Sequence, residues 1–224
     1  CDMQTEHGEI CWARVPGGEI YPDALVTGCS SVYKSLECGL RIASLLGYFR
    51  PDWAEARHSL GRALRDKGER FDRTWSGKQT YSMDWFYPVL SGVLDENESS
   101  GRLMQKWSQF VDAGLGCRCV SQEPWITVAE SCELVLSLVA VGRQEKAAQL
   151  FSWLQHNRIR GGYWIGYQRE LDIYWPRERP TWTSAAVLLA ADALYRITPA
   201  AGLFTREALP EQAGSECLDR DATK

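Results

Sequence analysis

Two kinds of side chain in this sequence can do chemistry together: carboxylates at helix entrances, and aromatic rings crowded into the loops that lead there. Asp84, in Tyr81-Ser82-Met83-Asp84-Trp85, falls in the first turn of an apolar helix. There it either offsets the positive end of the helix dipole or serves as an acid in a pocket wall made with Trp85 and Tyr87. Glu130 stands three residues after Thr127, the spacing of a capping box, and its second reading is catalytic. Glu133 lies in an otherwise apolar helix and must find a partner or change its protonation. Glu178 sits between Arg177 and Arg179 in a stretch closed by Pro176 and Pro180. A surface ion pair is its ordinary explanation; the functional one makes Glu178 an acid or base and Arg177 an anion clamp. Asp23 occupies the parallel place in an earlier loop. Two carboxylates facing each other across a cavity are what glycoside hydrolysis requires.

The rings and cations suggest what such carboxylates would act on. Trp75, Trp85, Trp125, Trp164, Trp175 and Trp182 lie at or near helix entrances, with Tyr87 and Tyr167 among them. Core packing absorbs some of them. The remainder would suit a carbocation or the CH faces of a sugar. Lys34, Glu37 and Arg41 form a polar stripe on the first helix, read as a solvated face or as a wet inner wall for an anionic ligand, with Arg118 and Arg177 as further cations. Cys117 and Cys119 flank Arg118 and could join Cys11 or Cys29 around zinc, but a single Cys-x-Cys pair is a poor metal signal. No cofactor is expected, with zinc or magnesium as the lesser alternative.

These residues need elements to position them, and the periodicity supplies helices in pairs. The spacing predicts helices over 30–47, 51–67, 83–94, 99–112, 127–141, 145–155 and 181–197. Pro51 at a first turn, Gly68 past an end and Gly142 at a turn mark their limits. The most apolar helices begin near residues 30, 82, 127 and 181, roughly every 50 residues, the period of a stacked helical hairpin. Short turns follow these helices and long loops precede them, so the long loops are expected at one rim. The fold class expected is all-α: an α/α toroid with alternating inner and outer helices, as an incomplete ring of about four hairpins. One domain over 1–198 and a polar, flexible tail over 199–224 complete the division.

Composition sets bounds. The 224 residues carry a net charge of −4, which argues against a nucleic-acid partner, and no apolar run is long enough to span a membrane. Eight cysteines, several within helical patterns, read as buried thiols of a reduced, cytoplasmic protein. The start at Cys1, inside a turn-like segment and without a Met, reads as a truncated N-terminus.

Gln4, Gly8 and Trp12, and again Gln155, Gly162 and Trp164, resemble eroded Gln…Gly-x-Trp repeats of squalene and terpenoid cyclases. MDWFYPVLSG at Met83–Gly92, GCRCVSQEPWITVAESCELVL at Gly116–Leu136 and TWTSAAVLLAADAL from Thr181 are similar to uncharacterised bacterial prenyltransferase-like proteins. The resemblance implies a toroid binding an isoprenoid or similar apolar ligand in an aromatic-lined cavity. The Asp-x-Asp-Asp acid motif and the Asp-rich magnesium motif are missing, and His7, His58 and His156 stand at no inner-helix entrance. The other expectations are a carbohydrate-active, glycosidase-like toroid using Asp23, Asp84 or Glu178, and a non-catalytic binding module. In each the partner is a small molecule.

Overall fold

The helical hairpins follow the hydrophobic pattern closely. The computed structural model describes residues 2–205. Helices α1 (Val26–Leu45) and α2 (Pro51–Asp66) form the first pair. Pro51 opens α2, where its missing N–H costs no helical bond. Helix α3 (Ser82–Leu90) is followed by α4 (Glu96–Gln105) and the short α5 (Trp107–Phe110). Helices α6 (Val128–Ala140) and α7 (Gln144–Trp153) form the next pair, and α8 (Thr181–Tyr195) stands last.

The boundaries differ from expectation for local reasons. Ser30 and Ser31 do not cap α1, which begins four residues earlier. The Ser31 and Ser35 hydroxyls instead donate to the carbonyls one turn back, Thr27 and Ser31, the usual way a helical serine is satisfied. Helix α4 starts before Ser99 because Asp95 and Glu98 make a reciprocal capping box, 2.8 and 2.9 Å.

Helices α1, α3, α6 and α8 lie side by side as an inner row, with α2, α4 and α7 packed behind them. The larger core fills the space between α3, α6, α7 and α8 with Trp85, Phe86, Leu134, Leu138 and Leu150, all fully buried. A smaller one joins α1 to α2 through Tyr33, Leu60 and Ala63. Inner and outer helices alternate about a concave side, the layout of an α/α toroid, present here as an arc. Its end helices carry exposed apolar residues, Ile42 and Leu45 on α1, Leu188 and Tyr195 on α8.

The rim loops are not irregular, so the molecule is not purely α-helical. Strands β1 (Ala13–Arg14) and β2 (Ile20–Tyr21) pair ahead of α1. Strands β3 (Val111–Asp112), β4 (Gly116–Arg118) and β5 (Trp125–Thr127) precede α6. Strands β6 (Arg158–Ile159), β7 (Gly162–Tyr163), β8 (Gly166–Gln168) and β9 (Ile173–Tyr174) precede α8. An antiparallel sheet of order β3-β4-β5-β8-β9 joins two of these loops, with Ile126 opposite Tyr167. Half-buried loops carry backbone groups that must be paired, and short ladders pair them.

Further bonds tie the loops into one rim. Ser82 N–H donates to Cys119 O at 2.9 Å, Ser121 N–H to Thr80 O at 2.8 Å, and Asp72 N–H to Ala24 O at 3.2 Å. All lie at the N-terminal ends of the inner helices, and the short turns lie at the other end. After α8 the chain turns back, burying Thr205 and bringing Phe204 to the lumen. Most of the expected tail, residues 206–224, lies outside the described residues.

Candidate functional site

The inner row encloses a lumen of about 700 Å3, lined from α1, α3, α6 and α8. Its wall is largely apolar, with Ile42, Leu90, Cys132, Leu136, Ala185 and Leu189 among its residues. The polar exceptions decide its chemistry. Lys34 reaches it from α1, but its Nζ is 2.9 Å from Glu37, which also accepts from Arg57 at 2.8 Å. Burial works to raise the Glu37 carboxyl, and the bonds and charges of Lys34 and Arg57 hold it below the ordinary range. Glu133 enters the lumen from α6 and accepts a 2.8 Å hydrogen bond from the Tyr87 hydroxyl on α3. Burial, with the nearby charge of Glu130, pushes Glu133 up to about 7 against the bond from Tyr87.

One turn earlier, Glu130 stands half-buried at the start of α6. The capping box expected there does not form. Thr127 belongs to β5, makes no cap bond and leaves its hydroxyl without a partner, while Val128 N–H is taken by Ile165 O at 3.0 Å. Glu130 is free to hydrogen-bond the Cys119 thiol. Burial, together with the charge and bond of Glu130, raises that thiol to about 12.

Above the lumen the rim carries rings in two groups. Tyr21 stacks on Trp75 at 5.6 Å, and Trp12 meets Trp75 edge-on at 6.4 Å. Across the sheet Trp125 meets Trp175 at 5.7 Å, Trp164 stacks on Tyr174 at 5.8 Å, and Tyr167 packs against Tyr174. Trp12, Trp175 and Trp182 each keep more than half of their surface exposed. Burying a ring is the ordinary fate of tryptophan, so three open ones, Trp182 on the lumen wall and Trp12 and Trp175 on the loops ahead of α1 and α8, are available to a ligand.

Several of the expected site residues do not line the lumen. Asp23 is fully buried beneath the entrance to α1, accepting from Thr74 N–H at 2.6 Å, Thr74 Oγ1 at 2.7 Å and Ala24 N–H at 2.7 Å. Burial opposes ionisation there, and these bonds hold the carboxyl below its ordinary range. Asp23 fastens the loop and does not line the lumen. Asp84 packs behind α3, where Arg102 of α4 donates to its carbonyl at 2.9 Å. Burial raises its carboxyl, opposed by the charge of Arg102, but it does not line the lumen. Trp85 is core: it stacks on Phe110 at 5.1 Å and donates to Arg102 O at 2.7 Å. Arg118 is tied to Asp112 by bonds of 2.6 and 3.1 Å and serves the sheet. Arg177 and Glu178 are exposed on the loop before α8. Cys117 is fully buried, its thiol raised well above the ordinary range by burial. Among the described residues no three His, Cys, Asp or Glu side chains cluster as metal ligands.

No family model matches the chain. It is 45% identical over 210 residues to the MMP endo-(1,4)-3-O-methyl-α-D-mannosidase of Mycolicibacterium hassiacum. That match takes in 93% of this chain and 57% of the relative, so the chain spans little more than half the length of that protein. Its fold is similar to that of the α-1,6-mannanase GH76A of a Salegentibacter species, solved as an inactive variant in complex with α-1,6-mannotetrose. The TM-score is 0.59 at 11% identity, over 88% of this chain and 60% of that one. The fold likeness supports the toroid. The resemblance to prenyltransferase-like proteins is overturned, because the 45% relative is a mannosidase. The shared features were those of helical-hairpin packing, which unrelated chemistries use alike. The isoprenoid reading of the lumen falls with it.

Proposed function

We propose that this chain forms a saccharide cleft of a glycoside hydrolase acting on α-mannosides. The observation that carries the reading is a lumen that holds a carboxyl group and an open ring, Trp182, with two further open rings, Trp12 and Trp175, on the loops ahead of α1 and α8. Sugar rings present flat CH faces to such platforms and hydroxyls to the polar groups beside them. Rings in two groups along the rim suit an oligosaccharide lying across the mouth rather than a single sugar. Glu130 and Glu178 remain carboxylates at the rim, and Arg177 a cation there. The likeness to two mannoside-active proteins supports the same substrate class. Titration calorimetry with α-mannotetraose, using cellotetraose as control, tests the reading. Binding of the mannoside alone is expected. Trp12→Ala and Trp175→Ala should each weaken it roughly threefold to tenfold, the worth of one aromatic contact, with Tm unchanged. Equal indifference to both sugars would remove the proposal.

A further inference from the structure

We propose that Glu133 is the group that protonates the leaving oxygen of the glycosidic bond, and that Tyr87 is the residue that orients it. This rests on the saccharide reading above. Most of the other buried or half-buried carboxylates are bound by cations or hydrogen-bond donors. Glu9 is bound by Arg70 at 2.6 Å, Asp112 by Arg118 and Arg169, and Glu37 by Lys34 and Arg57. Asp23 is held by backbone and threonine donors, and Asp84 lies behind the wall near Arg102. All but Asp84 are held by cations or hydrogen-bond donors, and Asp84 does not line the lumen. Glu133 lies on the lumen surface, and the bond it accepts comes from a neutral phenol.

Burial and the charge of Glu130 favour a neutral acid, against the bond from Tyr87. From α1 the lumen receives Lys34, whose charge is already engaged by Glu37. From α3 comes Tyr87, whose own ionisation burial and Glu133 push upward, so that it stays a donor. From α6 come Cys132 and the charge of Glu130, and α8 brings Trp182 and apolar residues. Among the described residues no cation binds Glu133, and a neighbouring carboxylate disfavours its ionised form. With Tyr87 fixing one oxygen, the other is left to address a ligand. In the reaction its proton passes to the glycosidic oxygen as the bond to the anomeric carbon breaks. The electron pair stays on that oxygen, which leaves as an alcohol. A water molecule adds to the anomeric carbon and releases a proton to solvent, from which Glu133 is recharged.

The test uses the chain as it stands and needs no turnover. A mannose-configured iminosugar with a quaternary, permanently charged nitrogen is titrated calorimetrically at several pH values, alongside neutral α-mannotetraose. Affinity for the cation should rise at least tenfold from pH 5.5 to 8.5, with a midpoint near the value of about 7 at which Glu133 ionises. Glu133→Gln should abolish the rise while keeping α-mannotetraose binding within threefold. Tyr87→Phe should move the midpoint upward, because it removes the bond that favours the carboxylate; a residue that only fills space would leave it unmoved. A flat cation profile in the parent chain, or a rise surviving in Glu133→Gln, overturns the assignment while leaving the saccharide reading intact. Failure of α-mannotetraose to bind the parent chain overturns both.

Discussion

Replacing Glu133 by glutamine should stabilise the fold at alkaline pH and change it little in acid. Gln keeps the oxygen to which Tyr87 donates, so the 2.8 Å bond survives and only the charge is lost. The ordinary carboxyl value is 4.5, and Glu133 titrates at about 7 because it is buried. Between those values the folded chain holds a proton that the unfolded chain has released. Stability therefore falls as pH rises through the window, by about 1.4 kcal/mol per pH unit. The full cost above pH 7 is about 3 kcal/mol, an upper value because the lumen opens to water. For a domain of this size that corresponds to roughly 5–10 °C in Tm. Urea titrations of both proteins at pH 5 and pH 8 read it directly. The variant should gain about 2 kcal/mol on the parent between the two. A variant-minus-parent difference that is the same at both would show that Glu133 is solvated and ionised, and the argument from burial would be wrong.

Three further outcomes follow from the packing. Asp23→Ala should cost about 3 kcal/mol at pH 7, since it strands the Thr74 and Ala24 donors. Because the Asp23 carboxyl is held below its ordinary value, its contribution is present above about pH 4 and lost as pH falls further, so the penalty should shrink in acid denaturation curves. Leu138→Ala, in the fully buried centre of α6, should cost about 2–5 kcal/mol by urea denaturation. Gly8→Ala should lower Tm, because Gly8 has a φ of 105° and an added Cβ would run into the Ser59 carbonyl.

The helices were readable because their signals are local. Pro51, Gly142 and the apolar run from Val128 each sit within a turn of the boundary they set. The gathering of long loops at one rim followed from the order of short and long connections. The strands escaped notice because each has only two or three residues, too few to display a period of two. Site residues were harder, since burial depends on partners far away in sequence. Asp23 looked available until Thr74, 51 positions on, was placed against it. Trp85 looked like a pocket wall, but Arg102 and Phe110 turn that side of α3 into core. Glu133 stood out as a charge in an apolar helix; that it meets Tyr87 across the lumen depends on the packing of α3 on α6.

The central claim is that the open rings of the rim and the lumen beneath them form one saccharide cleft. A crystal structure of this chain soaked with α-mannotetraose tests it most directly. Sugar rings should sit on the Trp12–Trp75 and Trp125–Trp175 groups, with one residue within hydrogen-bond reach of Glu133. A separate groove lies along β6 and β7, lined by Arg158, Arg160 and Tyr163; an oligosaccharide bound there, with rim and lumen empty, would contradict it.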